Sequence, residues 1–399
     1  MPILSKILRV AFLSCFSLIH AQQITLSPDA EISVITVGPG TSLNDAFGHN
    51  AFRIKDTALG LDLTYGYGEY DFDAPYFYLK FAQGKLNYMI SRIEFNRFYN
   101  FYVYQNRTMQ EQVLNLSASE KQNLFNFLQN NYKPENRRYL YDFFFDNCAT
   151  KMRDVLEKTS DSKITFTAPE NFEPKTFRAL IHDHVNRNSW GSMGIDMALG
   201  SVIDQQATPY EHMFLPQYIF EFFETATKNG TEPLVKTSHT LYQKKDLKTS
   251  ITFWFSPLVI SSVIALLILG ITYLDYKKKV RHKLVDILLF GITGIIGVLV
   301  LLLWVATDHT ATAQNYNLLW AFPLNVWVMF KLRKSSVKPW VIRYLKFLVI
   351  MLALMSFHWI VGIEVFAIGL IPLLLALVIR YGYLIHFYNR NCQSEPVED

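Results

Sequence analysis

Charge is scarce in this sequence. Only 18% of its 399 residues are Asp, Glu, Lys or Arg, against about 25% in an ordinary soluble domain. Half of the residues are hydrophobic, which excludes a disordered chain and assigns part of it to lipid. Gly/Pro-rich tracts and internal repeats are absent, and the length allows roughly two or three domains. The net charge of +4 resides largely in short loops between apolar runs, so it does not point to nucleic acid. There is no Walker-type glycine loop, and Ser42 and Ser201 lack a Gly-x-Ser-x-Gly setting. Cysteine is rare: Cys15, Cys148 and Cys392. The first lies in an expected export signal and the third in an expected C-terminal tail. Cys148 is then left without a disulfide partner and needs another explanation.

Lys6 and Arg9 precede the apolar stretch Val10 to Ile19, which ends at His20-Ala21-Gln22. This pattern predicts a cleavable signal over 1–21, because the stretch is too short to cross about 30 Å of hydrocarbon. Lipidation of Cys15 is not expected. From Gln22 to about Ser250 the chain is polar and mixed. Five apolar runs follow, at about Pro257–Leu274, Leu284–Val305, Tyr316–Phe330, Val341–Phe357 and Gly362–Ile385. The third contains Pro323 and Asn325, so it is expected to be tilted, broken or covered. Lys277, Lys278, Lys279, Arg281 and Lys283 separate the first two runs. Lys331, Arg333, Lys334 and Lys338 separate the third and fourth, and the other connections carry no Lys or Arg. Positive loops stay in the cytoplasm. The expectation is a multi-pass protein of a bacterial inner membrane, with domain 22–250 in the periplasm, membrane domain 251–390 and cytoplasmic tail 391–399.

In the exported part, Ile32–Val37, His49–Lys55 and Leu61–Tyr67 read as strands. Ser117 and Glu120 form a capping box ahead of a helix burying Leu124, Phe125 and Leu128. A second helix begins near Cys148 and includes Met152, Val155 and Leu156. Strands followed by helices indicate an α+β domain. Aromatics crowd residues 65–104, and two readings stay open: a packed core, or an apolar groove or membrane-facing surface.

Two segments carry candidate chemistry. Asn147 is a good N-cap, which puts Cys148 in the first helical position. Unpaired N–H groups there favour a thiolate and can hold an oxyanion; burial as an inert core cysteine is the alternative. His49 starts a strand directly after Gly48, whose small size allows close approach of a substrate. A His near a Cys can act as general base and then general acid. His182, His184 and His212 fit no common metal spacing, so no metal or other cofactor is expected.

Phe47-Gly48-His49-Asn50-Ala51-Phe52-Arg53 and Phe144-Phe145-Asp146-Asn147-Cys148 resemble the periplasmic domain of Lnb-type lipoprotein N-acyltransferases of Bacteroidota. They are also similar, more remotely, to permuted papain-like (NlpC-type) thiol enzymes, in which the His strand precedes the Asn-Cys helix. Residues 194–200, 214–216, 315–320 and 323–324 are similar to later blocks of the same family. The resemblance implies an α+β permuted papain-like exported domain, followed by an all-α membrane domain of about five transmembrane helices. It implies transfer of a fatty acyl chain from a phospholipid donor to the N-terminal amine of a diacylated lipoprotein. Cys148 would be the nucleophile and His49 its base. A third polar group would come from the next strand, where Asp62, Thr64 and Tyr65 stand. Gly48, Arg53, Asn147, His309 and Asn315 are the candidate substrate contacts. The rivals are a membrane-tethered cysteine amidase or peptidase acting on cell-wall peptide, and a non-catalytic envelope partner protein with a structural Cys148.

Overall fold

The computed structural model describes residues 24–246, 253–334 and 337–393. The expected signal over 1–21 and Cys15 lie outside the described residues.

The N-terminal domain is built on a seven-stranded sheet. Its strands are β1 (Glu31–Val37), β2 (His49–Asp56), β3 (Leu61–Tyr70), β4 (Asn87–Glu94), β5 (Met109–Leu114), β6 (Arg138–Leu140) and β7 (Val235–Tyr242). They lie in the order β7-β5-β1-β2-β3-β4-β6, and every neighbouring pair is antiparallel. Val34 and Ile35 of β1 point to opposite faces and are both buried, because helices cover each side. One face, with Val34, Phe52 and Tyr65, packs on α3 (Ala118–Asn131), α4 (Cys148–Thr159) and α7 (Pro216–Thr225). The other face, with Ile35 and Ala51, packs on α2 (Phe95–Tyr104). This double cover explains why β1 is buried at every position from Ile32 to Val37 rather than at alternate ones. The expected strands and helices are present, including the Ser117–Glu120 capping box. A short helix, α1 (Phe77–Ala82), interrupts the strands between β3 and β4. Two further helices, α5 (Phe177–His182) and α6 (Trp190–Ala198), follow α4.

Among the described residues four helices are long and apolar enough to cross a membrane: α8 (Pro257–Lys278), α9 (Lys283–Val305), α11 (Pro339–Val361) and α12 (Ile371–Gln393). The fifth expected helix is not continuous. Residues 316–319 form a single 3-10 turn, Pro323 interrupts the chain, and only α10 (Asn325–Lys331) is α-helical. A proline lacks the N–H that would carry a helix through this point. Asn325 secures the break by donating to Thr293 Oγ1 of α9 at 2.9 Å and accepting from Tyr344 of α11 at 2.6 Å. The segment nevertheless runs between two fixed points. Asn317 donates to Asp196 O at one end, and Arg281 donates to Leu332 O at the other. Buried charges between the apolar helices are paired: Arg380 of α12 bonds Asp275 of α8 and Asp286 of α9, each at 2.7 Å. The fourth apolar span ends at Arg390, and the helix that carries it continues to Gln393.

The two domains meet through a polar joint at α6. Gly200 N donates to Ala311 O, and Asn315 Nδ2 donates to Met197 O and Ala198 O. Beneath it, buried Arg178 binds Asp196 and Asp204. Residues 194–200 and 315–320, both singled out in the sequence, therefore form one of the contacts between sheet domain and membrane domain.

Candidate active site

β2 and β3 pair only as far as Ala51↔Gly66. Beyond that point the β3–β4 register is irregular between Tyr67 and Glu69, and Gly68 takes φ +97°, a conformation natural only to glycine. β3 thus separates from β2 at its start, where the N–H of Asn50 is left facing α4. Gly48, at φ +87°, makes the turn into β2; a Cβ there would lie 2.6 Å from Val37 O. Its role is to place His49, and nothing larger fits.

Cys148 is the first residue of α4, as expected from Asn147. Asn147 Oδ1 accepts from the N–H groups of Ala149 and Thr150, and its Nδ2 donates to Phe143 O and Phe214 O, both at 2.7 Å. All of its polar capacity is used in fixing the helix start. The N–H groups of Asn50, Cys148 and Ala149 point at the sulfur. Cys148 Cβ lies 4.0 Å from the position of a Cβ on Gly68, and His49 Nε2 lies 3.1 Å from that on Gly66. The imidazole thus lies against Gly66 and the cysteine against Gly68, two residues further along β3, and His49 directly precedes Asn50, whose N–H is directed at the sulfur. The His49 ring stacks on Tyr102 with centroids 6.3 Å apart. It opens on a cavity of about 300 Å³ lined by Gly66, Glu69, Ser91, Arg97 and Phe101.

The electrostatics differ from the sequence expectation. Burial pushes the Cys148 thiol up to about 11, outweighing the three N–H groups and the charge of Arg107. Burial, helped by Arg107, lowers His49 to about 4. At neutral pH the pair rests as thiol and neutral imidazole, not as a thiolate ion pair. Alkylation of Cys148 by iodoacetamide should therefore be slow at pH 7. The expected rate is about a hundredfold below that of a free cysteine of pKa near 8.5, and it should climb steeply through pH 9–10. A rate that is flat and fast from pH 6 would contradict this.

Several expected site residues lie elsewhere. Asp62 forks onto Arg53 at 2.7 and 2.8 Å. It pairs with Lys55, six residues along β2 from His49, or roughly 20 Å. Arg53 is committed to Asp62 and Glu111 and lies over the Phe95 ring, so it is not free to bind substrate. Tyr65 is fully buried on the opposite face of the sheet from His49, beside Phe52. Asn315 is spent on the interdomain joint. His309 ties the membrane domain to the β3–β4 excursion, its Nε2 meeting Phe81 O at 3.0 Å. His182 bonds Asp196, His184 bonds Leu180 O and His212 bonds Thr208 O. Among the described residues no group of three His, Cys, Asp or Glu side chains could hold a metal ion.

Sequence reasoning missed the donor role of Asn50, which acts through its backbone and leaves no side-chain signal. It also missed Arg107, whose guanidinium is buried and donates to Gly38 O at 2.9 Å. Only an isolated arginine in Asn106-Arg107-Thr108 marked that position.

Two family models match the chain. One, described as the Lnb N-terminal periplasmic domain, covers residues 20–183. The other, described as the Lnb transmembrane domain, covers residues 248–391. No curated protein and no solved structure matches it.

Proposed function

Because the chain belongs to the Lnb family, with a periplasmic domain and a transmembrane domain in that order, we propose that it is a thiol-dependent lipoprotein N-acyltransferase. In this reading a phospholipid donates a fatty acyl chain, Cys148 carries it as a thioester, and the N-terminal amine of a diacylglyceryl-cysteine lipoprotein accepts it. The sheet domain is a permuted papain-like unit on the outer face of a bacterial inner membrane, and the C-terminus is cytoplasmic. The observation that supports the reading is that His49 borders Gly66 and Cys148 borders Gly68 on the same strand, with the Asn50 N–H directed at the sulfur.

The chemistry follows from the resting protonation states. Cys148 Sγ attacks the ester carbonyl while its proton passes to neutral His49. The N–H groups of Asn50 and Cys148 hold the oxyanion. Collapse breaks the C–O bond, and His49 returns the proton to the departing lysophospholipid oxygen. The lipoprotein amine then attacks the thioester, His49 takes its proton, and the C–S bond breaks to restore the thiol. Thioester to amide is downhill, so no nucleotide is consumed. Apolar surroundings limit the competing attack by water.

The test is mass spectrometry of lipoprotein N-termini in a deletion strain complemented by wild type or by Cys148→Ala. Wild type should restore the third acyl chain and Cys148→Ala should not. Intact mass of wild type incubated with donor alone should show an acyl adduct lost on hydroxylamine treatment. Full N-acylation by Cys148→Ala would overturn the reading. A peptide product with no acyl adduct would favour the amidase instead.

A further inference from the structure

The excursion from β3 to β4, residues 71–86, leaves its aromatic side chains outside the fold. Phe72, Tyr76, Tyr78, Leu79 and Phe81 are between 53% and 81% exposed. A cluster of this kind on a soluble surface marks a binding site. Two observations identify what covers it. First, the hairpin is tied to the membrane domain: Asp308 N donates to Gln83 O at 2.9 Å, and His309 Nε2 meets Phe81 O. Asp308 stands three residues beyond Val305, the last residue of α9, and three residues of chain reach at most about 10 Å. The headgroup layer outside the hydrocarbon is itself about 5–8 Å deep. Aromatic side chains projecting from α1 therefore fall at the level where Tyr, Trp and Phe anchor membrane proteins. Exposed Phe253, Trp254 and Phe255 stand just ahead of α8, and Trp304 stands near the end of α9. By the course of the chain these share that level.

Second, the exposed rings are continuous with the thiol. Phe72 meets Tyr70 at 4.7 Å, Tyr70 meets Tyr88 at 5.4 Å, and Tyr88 stacks on Tyr141 at 4.3 Å. Tyr141 and Cys148 both border Gly68.

We propose that residues 71–86 form a membrane-seated hairpin, with α1 inserted among the headgroups of the outer leaflet, and that Tyr70, Tyr88 and Tyr141 guide a lipid ester from it to Cys148. The guiding role rests on the acyl-transfer reading; the seating does not.

The seating is tested on the full chain with its three native cysteines replaced by serine, Tyr78→Cys labelled with the fluorophore NBD, and reconstitution in phosphatidylethanolamine–phosphatidylglycerol vesicles. NBD emission should be blue-shifted and should be quenched by lipids carrying a nitroxide at a shallow position. Water-like emission without lipid quenching, as a protein partner or an open surface would give, overturns the seating. Guidance is tested with the double variant Tyr78→Ser, Phe81→Ser. Acyl transfer from vesicle phospholipid should drop about tenfold or more, while iodoacetamide alkylation of Cys148 stays at the wild-type rate. Wild-type transfer in that variant overturns the guiding role and leaves the acyl-transfer reading standing. Loss of both readouts would mean that the hairpin supports the thiol structurally, and would also overturn guidance.

Discussion

His49→Ala is expected to lower kcat/KM for acyl transfer by about a thousandfold in a protein that still folds. The resting thiol is protonated, because burial holds it at about 11. In the proposed reaction attack therefore needs a base, and His49 is the group proposed to serve. His49 is itself held at about 4, so it stays unprotonated throughout the neutral range. Wild-type kcat/KM should accordingly show its acid limb near pH 4 rather than near 6.5. The sign for stability follows from the same shift. The unfolded chain takes up a proton at 6.5 before the folded one does, so the contribution of His49 is complete above pH 6.5 and is lost as pH falls toward 4. His49→Ala should remove that part of the acid sensitivity, which a melting series from pH 7 to pH 4 reads directly. An acid limb near 6.5, or a variant that retains transfer, would mean that another group takes the proton.

Gly200→Val is expected to destabilise the protein by about 3 kcal/mol, and to lower Tm by roughly 10 °C. A Cβ at this position would lie 1.9 Å from Ala313 O and 2.9 Å from Asn315 N. These are backbone atoms of the joint and cannot turn aside. The same residue donates to Ala311 O and accepts from Arg178, so displacement would also strand a buried guanidinium. Gly194, six residues earlier in the same block, has nothing within 4 Å of its Cβ position. Gly194→Ala should be neutral or stabilising, by up to about 1 kcal/mol, because it sits inside helix α6. Scanning fluorimetry of both variants in detergent separates the outcomes. Equal melting temperatures would mean that the joint opens without cost.

The order of strands, the Ser117 cap, the start of α4 and the apolar helices were legible because each depends on local pattern: periodicity, a capping side chain, an unbroken hydrophobic run. His49 and Cys148 were legible only as two isolated residue types, and their placement against Gly66 and Gly68 depends on where β3 leaves β2. Asp62 and Tyr65 were attractive as polar residues on the neighbouring strand. Register decides against both, since Asp62 pairs at the far end of β2 and Tyr65 alternates to the other face. The thiolate expectation failed for a different reason. A helix start and a cap are visible in sequence, but the burial that outweighs them comes from tertiary packing. In the membrane domain, Pro323 and Asn325 signalled a defect in the third run. That its ends are nonetheless held, by Asp196 at one side and Arg281 at the other, is known only once the helices are assembled.

The hydrogen bonds joining residues 196–200 to 311–317 leave no swivel between the sheet and the helices. The sulfur is consequently held at a constant altitude over the bilayer. In the proposed reaction the reactants would come to it by two-dimensional diffusion, and the depth at which an acceptor is anchored, rather than the sequence that follows its lipidated residue, would be the quantity on which selection operates.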